Sequence, residues 1–386
     1  MKNYDVAVCG GGFAGISAAL AASREGKTVI LFEKEYLLGG LGTAGLVTIF
    51  LPLCDGLGRQ VSFGIAEELL KLSVTYGAEA LYPENWLDGA GTRTENDKRY
   101  QVQYNPQVFA VLAEKLLLEN GVDILYGSYV VAAEVEDQRI SALAVENKSG
   151  RTVYRVGSVV DATGDCDIAK LAGAPTETYR RGNVLAAWYY SSDDAGYRLN
   201  QLGAADIPEE ERGEAPAALT NRRFTGLDGK EISEMVCLSH QKTLENWLKK
   251  RESNPNTVIS TLATIPQLRM TRKIAGEYEL SHNEMHKYFE DSVGLVSNWK
   301  KRGPVYEVPF RTLYNKSVKN LIAAGRCISV NETLWDVTRV IPCCAVTGQA
   351  AGTAAAMTND FTSIDIPKLQ EKLRQNGVVI HEKDLI

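Results

Sequence analysis

The sequence predicts an α/β protein: a Rossmann-like nucleotide-binding domain, with a parallel sheet and a three-stranded β-meander, that carries an inserted α+β cap domain. Three observations support this fold class. A strand, a glycine-rich turn, a helix and a second strand follow one another at residues 4–33. Residues 130–156 alternate apolar and polar side chains around two turn-like breaks, as in an antiparallel meander. Residues 175–310 are irregular and interrupt segments that we assign to one domain.

The glycine-rich turn is the most specific motif. Gly10, Gly12 and Gly15 have the G-x-G-x-x-G spacing between a buried strand and an Ala-rich helix at Ile16 to Glu25. Glycines at this spacing provide a tight turn, backbone approach to a pyrophosphate and close helix–strand packing. Free amides and the helix dipole then favour the phosphates. The motif predicts a dinucleotide site and by itself leaves NAD and FAD open.

An acidic residue ends the second strand, which we place at residues 28–32. Glu33 stands where a carboxylate accepts hydrogen bonds from an adenosine ribose. Since an acid at this position repels a 2′-phosphate, the sequence argues against NADP in this site.

The remaining periodic segments complete the predicted domains. A helix from Asn105 to Asn120 has Pro106 near its start and Gly121 as its stop signal. A helix opens at Pro342 and runs to about Met357. We predict strands at 122–126, 158–161, 308–313 and 320–325, the third returning to the first domain, and amphipathic cap helices near 231–251 and 281–297.

The predicted nucleotide-binding domain is therefore discontinuous. It takes residues 1–50, 105–175 and 312–358, while residues 51–104 and 176–311 form the cap or substrate domain and residues 359–386 a C-terminal extension.

Composition excludes several classes of protein. Of 386 residues, 45% are hydrophobic and 23% charged, as in soluble globular proteins. The net charge of −6, without a Lys/Arg stripe, argues against a nucleic-acid partner. The seven cysteines form no C-x-x-C, which indicates reduced thiols and no metal site. Without a predicted signal peptide or membrane span, we expect a cytoplasmic protein with no membrane partner.

Further motifs identify a family. Asp161-Ala162-Thr163-Gly164-Asp165 follows the meander, and Asn320 to Ser329 contains Gly325-Arg326. With the glycine turn, they resemble FAD-dependent oxidoreductases of the glutathione-reductase structural class. More narrowly, the chain resembles the bacterial FAD-dependent oxidoreductase family with a single flavin domain. The segments that support the narrower resemblance are Gly39 to Thr43, Gly58 to Gln60, Gly64 to Leu69, Arg269 to Arg272 with Gly276, and Gly348 to Ala355.

The resemblance implies FAD, bound non-covalently in an extended pose, and names the residues that would contact it. The glycine turn would hold the pyrophosphate, Glu33 the ribose, and the meander near Val131 the adenine. The segments around Thr163 and Gly325 would close over the diphosphate and the ribityl chain. The implied cofactor-binding residues are Gly10, Gly12, Phe13, Ala14, Gly15, Glu33, Lys34, Gly40, Thr43, Val131, Ala162, Thr163, Gly164, Asp165, Gly325, Arg326, Gly348 and Gln349.

In this structural class, the helix that opens at Pro342 points its N-terminus at the flavin pyrimidine ring. The positive end of its dipole would stabilise the negative charge of a reduced flavin. Cys343 and Cys344 lie in its first turn. We expect them to be inert buried residues, since buried cysteines commonly are.

Arginines are the candidate substrate-side residues, because a guanidinium binds a carboxylate through two hydrogen bonds. Arg339 and Arg311 are the candidate catalytic residues, and Arg269 and Arg272 are candidates for substrate binding. For the last two, an ion pair between domains is an equally good interpretation.

The histidines give no metal site. His282 and His286 stand four residues apart on the helix predicted near 281–297, but no third ligand is evident. We interpret the two as a solvated helix face.

The sequence therefore favours an FAD-dependent oxidoreductase that transfers a hydride between flavin N5 and a small organic substrate, an anionic one if the arginines bind it. The first alternative is a flavin-bearing electron-transfer subunit that works with a redox partner protein. Flavin-dependent RNA modification is a weaker alternative, and the acidic balance argues against it. A structural use of FAD and a homo-oligomer also remain open. The middle section contains no G-x-G-x-x-G, so we expect no separate NADH domain.

Overall fold

The computed structural model describes residues 2–76, 101–203 and 218–385. Within them the strands are β1 (Lys2–Cys9), β2 (Val29–Phe32), β3 (Ile49–Phe50), β4 (Val102–Gln103), β5 (Asp123–Leu125), β6 (Tyr129–Glu136), β7 (Arg139–Asn147), β8 (Gly150–Asp161), β9 (Thr176–Thr178), β10 (Ala187–Asp193), β11 (Gly196–Leu202), β12 (Val258–Leu262), β13 (Arg272–Ile274), β14 (Ser292–Ser297), β15 (Val305–Pro309) and β16 (Leu321–Ala323). The α-helices in the same ranges are α1 (Phe13–Arg24), α2 (Ile65–Val74), α3 (Pro106–Glu119), α4 (Asp167–Leu171), α5 (Gly229–Ser253), α6 (Glu332–Thr338), α7 (Ile341–Met357) and α8 (Ile366–Gln375).

A seven-stranded sheet organises the described part of the chain, in the order β5-β2-β1-β8-β7-β6, with β16 also paired to β8. The β1–β2, β2–β5, β1–β8 and β8–β16 pairs are parallel, whereas β6, β7 and β8 form an antiparallel meander. The predicted fold class, a Rossmann-like parallel sheet with a three-stranded meander, is confirmed.

One strand joins the two parts of this sheet. We expected the meander to end at Val156 and a separate strand to begin at Ser158, but β8 runs unbroken through both. Its first half pairs with β7 and its last residues pair with β16. Gly157 lies at this boundary, although glycine weakens strands. In the structure a Cβ there would lie 2.7 Å from the carbonyl oxygen of Asp5, so glycine permits close pairing with β1.

Two Ala- and Gly-rich helices pack against each other on the sheet. Gly348 and Gly352 of α7 face α1 so closely that added Cβ atoms would lie 2.2 Å and 2.1 Å from the carbonyl oxygens of Ala14 and Ala18. Both helices are almost wholly buried. Small residues let α7 approach α1, and this places the N-terminus of α7 beside the glycine turn that begins α1.

The irregular middle section contains an antiparallel sheet in the order β11-β10-β12, with α5 packed on β10. The helix predicted near 231–251 is thus confirmed as α5. The helix predicted near 281–297 is wrong: turns lead into β14, all of whose residues are buried. A short apolar run buried on both faces has no strand alternation, so its sequence does not separate helix from strand.

That correction removes the predicted histidine face. His286 has a left-handed backbone (φ +60°) and its ring contacts Glu382, while the ring of His282 contacts Asn331.

The strand predicted at 308–313 lies earlier in the chain, as β15. β15 ends at Pro309 and pairs with β14 in a separate two-stranded sheet instead of returning to the central one.

The last residues pack into the main core. Leu369 and Leu373 of α8, together with Ile380, are fully buried in the cluster that includes α1 and α7. A buried carboxylate, Glu307, contacts the ring of His381 at 3.0 Å and accepts a hydrogen bond from the backbone of Glu382 at 3.1 Å. The segment predicted as a C-terminal extension is therefore anchored by apolar and polar contacts.

Among the described residues, no single helix has the length and apolar character needed to cross a membrane; α6 and α7 meet those criteria only when taken together across an 89° bend.

Candidate functional site

A cavity of about 410 Å³ lies at the carboxyl ends of the parallel strands. Its lining includes residues that directly follow or end each of four strands: Cys9 and Gly10 at β1, Phe32 and Glu33 at β2, Ala162 and Thr163 at β8, and Ala324 and Gly325 at β16. Ligands of open α/β sheets bind in the crevice at this edge. The topology therefore assembles one site from chain segments that are far apart in sequence.

Within the glycine turn, the three glycines have different surroundings. A Cβ on Gly10 (φ +101°) would lie 2.5 Å from the carbonyl oxygen of Ala162, and one on Gly15 would lie 1.8 Å from that of Gly10. At Gly12 a Cβ would meet nothing within 4 Å, and this residue lines the cavity. Gly10 and Gly15 are thus required by packing, whereas Gly12 leaves open space for a ligand. Phe13 and Ala14 also line the cavity.

The β2 side of the cavity is acidic. Glu33 is 5% exposed, and its carboxylate accepts hydrogen bonds from the backbone of Gly11 at 2.6 Å and of Glu35 at 2.8 Å. Burial raises the pKa of Glu33, and these backbone bonds oppose that shift. Lys34 lines the same end. Tyr129 and Val130 of the meander also line this end, next to the predicted Val131.

The loop after β8 is held by side chains from the middle section of the chain. The hydroxyl of Thr271 donates to the carboxylate of Asp165 at 2.6 Å. Arg272 donates to the backbone oxygen of Asp165 at 2.9 Å and to the carboxylate of Asp167 at 2.6 Å. Thr163, Gly164, Asp165 and Asp167 all line the cavity. Arg272 therefore lies behind the cavity wall and clamps this loop, which agrees with the ion-pair interpretation of this residue and not with substrate binding.

Asp167 was not predicted as a site residue, although it stands two positions after the recognised motif. Burial, together with the nearby carboxylates of Asp165 and Asp161, raises its pKa to about 6, and Arg272 opposes the shift.

Gly325 and Arg326 close the opposite end. The backbone of Gly325 (φ +69°) donates to the hydroxyl of Thr347 on α7 at 2.9 Å. The guanidinium of Arg326 donates to the backbone oxygen of Leu268 and lies 3.5 Å from the Asp165 carboxylate. Arg326 thus connects the β16 turn to both the β8 loop and the middle section.

The N-terminus of α7 also reaches the cavity, which Arg339, Ile341 and Cys344 line. No side chain caps this helix, and Pro342 occupies its first turn. The positive end of the helix dipole therefore lies on the cavity side. Burial, as the largest cause, raises the pKa of the Cys344 thiol to about 12 and that of Cys343 well above its ordinary value.

Four further residues that the sequence predicts for the site do not line the cavity. Arg311 pairs with Asp291 at 2.9 Å and does not line the cavity. Arg269 donates to Gln267 at 2.7 Å and lies over the ring of Trp188. Gly348 faces Ala14, where it serves helix packing. The side chain of Gln349 binds the backbones of Ile65 at 2.8 Å and Asn376 at 3.3 Å, so it joins α7 to α2 and to the end of α8.

Gly40 lines the cavity with Gly42, but Thr43 lies behind them, where its hydroxyl donates to the backbone oxygen of Leu38 at 2.5 Å.

The sequence did not predict the part of the cavity wall that the middle section forms. It consists of Ile232, Thr264, Ile265, Pro266 and Leu268. Short apolar stretches of this kind carry no motif, so only the fold could identify them.

A parallel sheet with a nucleotide cavity at the carboxyl ends of its strands defines a dinucleotide-binding α/β protein. Residues 5–186 and 185–373 match the model of the family described as FAD dependent oxidoreductase, and the chain belongs to that family. The resemblance drawn from the sequence motifs is thereby confirmed for the family, the oxidoreductase class and FAD as cofactor.

The chain matches only part of the length of each of the curated relatives described below. The chain is 38% identical over 109 residues to an NADH:acrylate oxidoreductase of Vibrio harveyi, over 26% of this chain and 11% of that protein. It is 23% identical over 272 residues to a tRNA uridine 5-carboxymethylaminomethyl modification enzyme of Fusobacterium nucleatum, over 66% of this chain and 39% of that protein. The curated relatives are matched over between 11% and 51% of their own length.

Among solved structures, the chain is similar to a geranylgeranyl bacteriochlorophyll reductase-like protein of Thermoplasma acidophilum, with 14% identity and a TM-score of 0.43. The superposition covers 97% of this chain and 83% of that one.

Proposed function

We propose that the chain binds FAD non-covalently along this cavity and transfers a hydride between flavin N5 and a small organic substrate. One observation supports the proposal most strongly. A single cavity connects the carboxyl ends of four parallel strands with the uncapped start of α7 and the apolar 264–268 segment of the middle section.

The residues present fit an extended dinucleotide. The open space above Gly12 accepts a diphosphate against the backbone, where any side chain would intrude. Glu33 lies at the β2 end, where the ribose of the adenosine would lie, and its oxygens keep lone pairs beyond those used by the backbone. At the other end, the start of α7 offers a positive potential to a flavin ring.

When bound, the flavin would exchange two electrons and one proton, as a hydride at N5, with a substrate carbon, while a second proton passes between the substrate and solvent. The protein's contribution is to hold the reacting carbon and exclude water. Part of the cavity wall is apolar and suits that purpose. Its apolar residues include Leu41, Ile265, Pro266 and Ile341.

The cavity wall favours non-covalent attachment. Its lining contains no histidine within the described ranges. The Cys344 thiol stays protonated at neutral pH because its pKa is raised to about 12, so it is a poor nucleophile.

The proposal is tested on the purified protein. We expect a visible flavin spectrum, release of the flavin on acid denaturation, and anaerobic bleaching by one member of a panel of hydroxy acids, amines, sugars and reduced nicotinamides. Colourless protein that FAD cannot reconstitute would contradict the proposal, and flavin that stays with the denatured chain would contradict non-covalent binding.

The same experiment distinguishes the alternatives. Bleaching that requires a second protein, with no response to small molecules, would identify an electron-transfer subunit. Retention of the protein on tRNA, with no bleaching by the small-molecule panel, would favour RNA modification.

A further inference from the structure

Charged side chains line both ends of the cavity. Glu33, Lys34 and Glu35 lie at the β2 side, which is the predicted adenosine end. At the opposite end, the charged lining residues among those described are Arg326, after β16, and Arg339, before α7. The Asp165 carboxylate balances Arg326 at 3.5 Å.

Arg339 is balanced only in part. Its Nε donates to the carboxylate of Asp336 at 2.6 Å, and its Nη2 contacts the same carboxylate. The ammonium of Lys300 contacts Asp336 as well. Two cations therefore share one carboxylate, and one positive charge remains. Although burial raises it, pairing with Arg339 and Lys300 holds the pKa of Asp336 below its ordinary value.

The geometry leaves one side of the Arg339 guanidinium available. No described residue accepts a hydrogen bond from its Nη1, while the side chain is only 13% exposed. A nearly buried guanidinium with free donors and an unbalanced charge favours an anion as its partner. Since Arg339 lines the cavity, the cavity is where an anion can reach it.

We propose that the substrate carries a carboxylate group that binds Arg339, and that Asp336 is the positioning residue that fixes the guanidinium toward the cavity. The inference rests on the proposed function, since it concerns the substrate of the same site. Asp336 is itself anchored from the middle section. Its backbone oxygen accepts a hydrogen bond from the indole of Trp299 at 2.9 Å, and Lys300 is the next residue.

The test is a titration of the FAD-loaded protein, followed by the change in its visible spectrum. The probes are two matched pairs: propionate with propionamide, and succinate with succinamide. Each pair differs in the charge of the group and closely preserves its shape. We expect wild type to bind the carboxylates at least about tenfold more tightly than the amides.

Variants assign that preference to residues. Arg339→Gln should weaken carboxylate binding by about thirtyfold or more and abolish the preference, with FAD affinity within about twofold of wild type. Arg339→Lys should retain part of the preference, because lysine keeps the positive charge but cannot donate two parallel hydrogen bonds to a carboxylate as a guanidinium does. Asp336→Asn should reduce it by about fivefold, since the guanidinium keeps its charge without its anchor. Arg139→Gln is the control: it removes an Arg–Asp pair, with Asp360, from outside the cavity.

Equal binding of carboxylates and amides to wild type would overturn the inference. So would an Arg339→Gln variant that loses FAD affinity and keeps the carboxylate preference, because Arg339 would then contact the cofactor. Failure of the proposed function is a separate result, since the protein would not take up FAD before any anion is added.

Discussion

At the scale of single residues, spacing identified the glycines but not their separate physical roles. Gly10 and Gly15 are surrounded by backbone, whereas Gly12 faces open space. For the arginines, the sequence did not distinguish the four candidates, Arg269, Arg272, Arg311 and Arg339. Their contacts in the structure distinguish them. Arg272 pairs with the cavity-lining Asp167 from behind the wall, and Arg311 pairs with Asp291. Of the four arginines, only Arg339 lines the cavity.

Gly12 and Gly15 should therefore respond differently to alanine. In Gly12→Ala the new methyl meets no atom within 4 Å, so the thermal unfolding of the apoprotein should not change, while FAD affinity falls about tenfold. In Gly15→Ala the methyl would lie 1.8 Å from a carbonyl oxygen, and stability should fall by about 1–3 kcal/mol. Apoprotein melting and FAD titration measure the two effects. Equal destabilisation by both substitutions would contradict this assignment.

At the scale of elements, the structure explains two segments that the sequence separated or misassigned. β8 carries both the meander and the parallel pairing, so the loop that follows it lies at the cavity. The Arg-Met-Thr-Arg segment at 269–272, one of the motifs of the resemblance, clamps that loop. Two of its side chains bind Asp165 and Asp167. The middle section thus supports the predicted cofactor loop as well as covering the cavity.

We expect Thr271→Val to weaken FAD binding about tenfold. The Asp165 carboxylate loses a hydrogen-bond donor at 2.6 Å, which should destabilise the conformation of the loop after β8 by about 1–3 kcal/mol. Equilibrium dialysis with FAD measures the effect. Thr261→Val is the matched control, since the Thr261 hydroxyl contacts only the exposed Tyr197 hydroxyl, at 3.1 Å, away from the cavity. A similar loss in both variants would contradict a specific role for the clamp.

At the scale of the whole molecule, distant chain segments depend on one core. The last helix, α8, buries Leu369 and Leu373 in the cluster that also contains α1 and α7. The N-termini of α1 and α7 both reach the cavity. The C-terminal segment is consequently part of what holds the site together.

Leu373→Ala should lower the free energy of unfolding by about 2–5 kcal/mol, because a fully buried leucine leaves a cavity in a packed core. Leu244→Ala, on the surface of α5 and 50% exposed, should change it by less than about 0.5 kcal/mol. Urea unfolding of the two variants measures the difference. A separately folded C-terminal segment would instead leave the main transition of Leu373→Ala unchanged.

The sequence by itself determined the nucleotide-binding half of this protein, since its information is local. The glycine spacing, Glu33 and the Thr163 and Gly325 turns each stand next to a strand end, and short-range sterics specify them. The family and its cofactor follow from the same segments. The wall at 264–268, the clamp by Thr271 and Arg272 and the sharing of Asp336 between Arg339 and Lys300 were decided only by the tertiary structure. Each of these depends on side chains that are distant in sequence or on the packing of irregular chain, which leaves no periodic pattern to read.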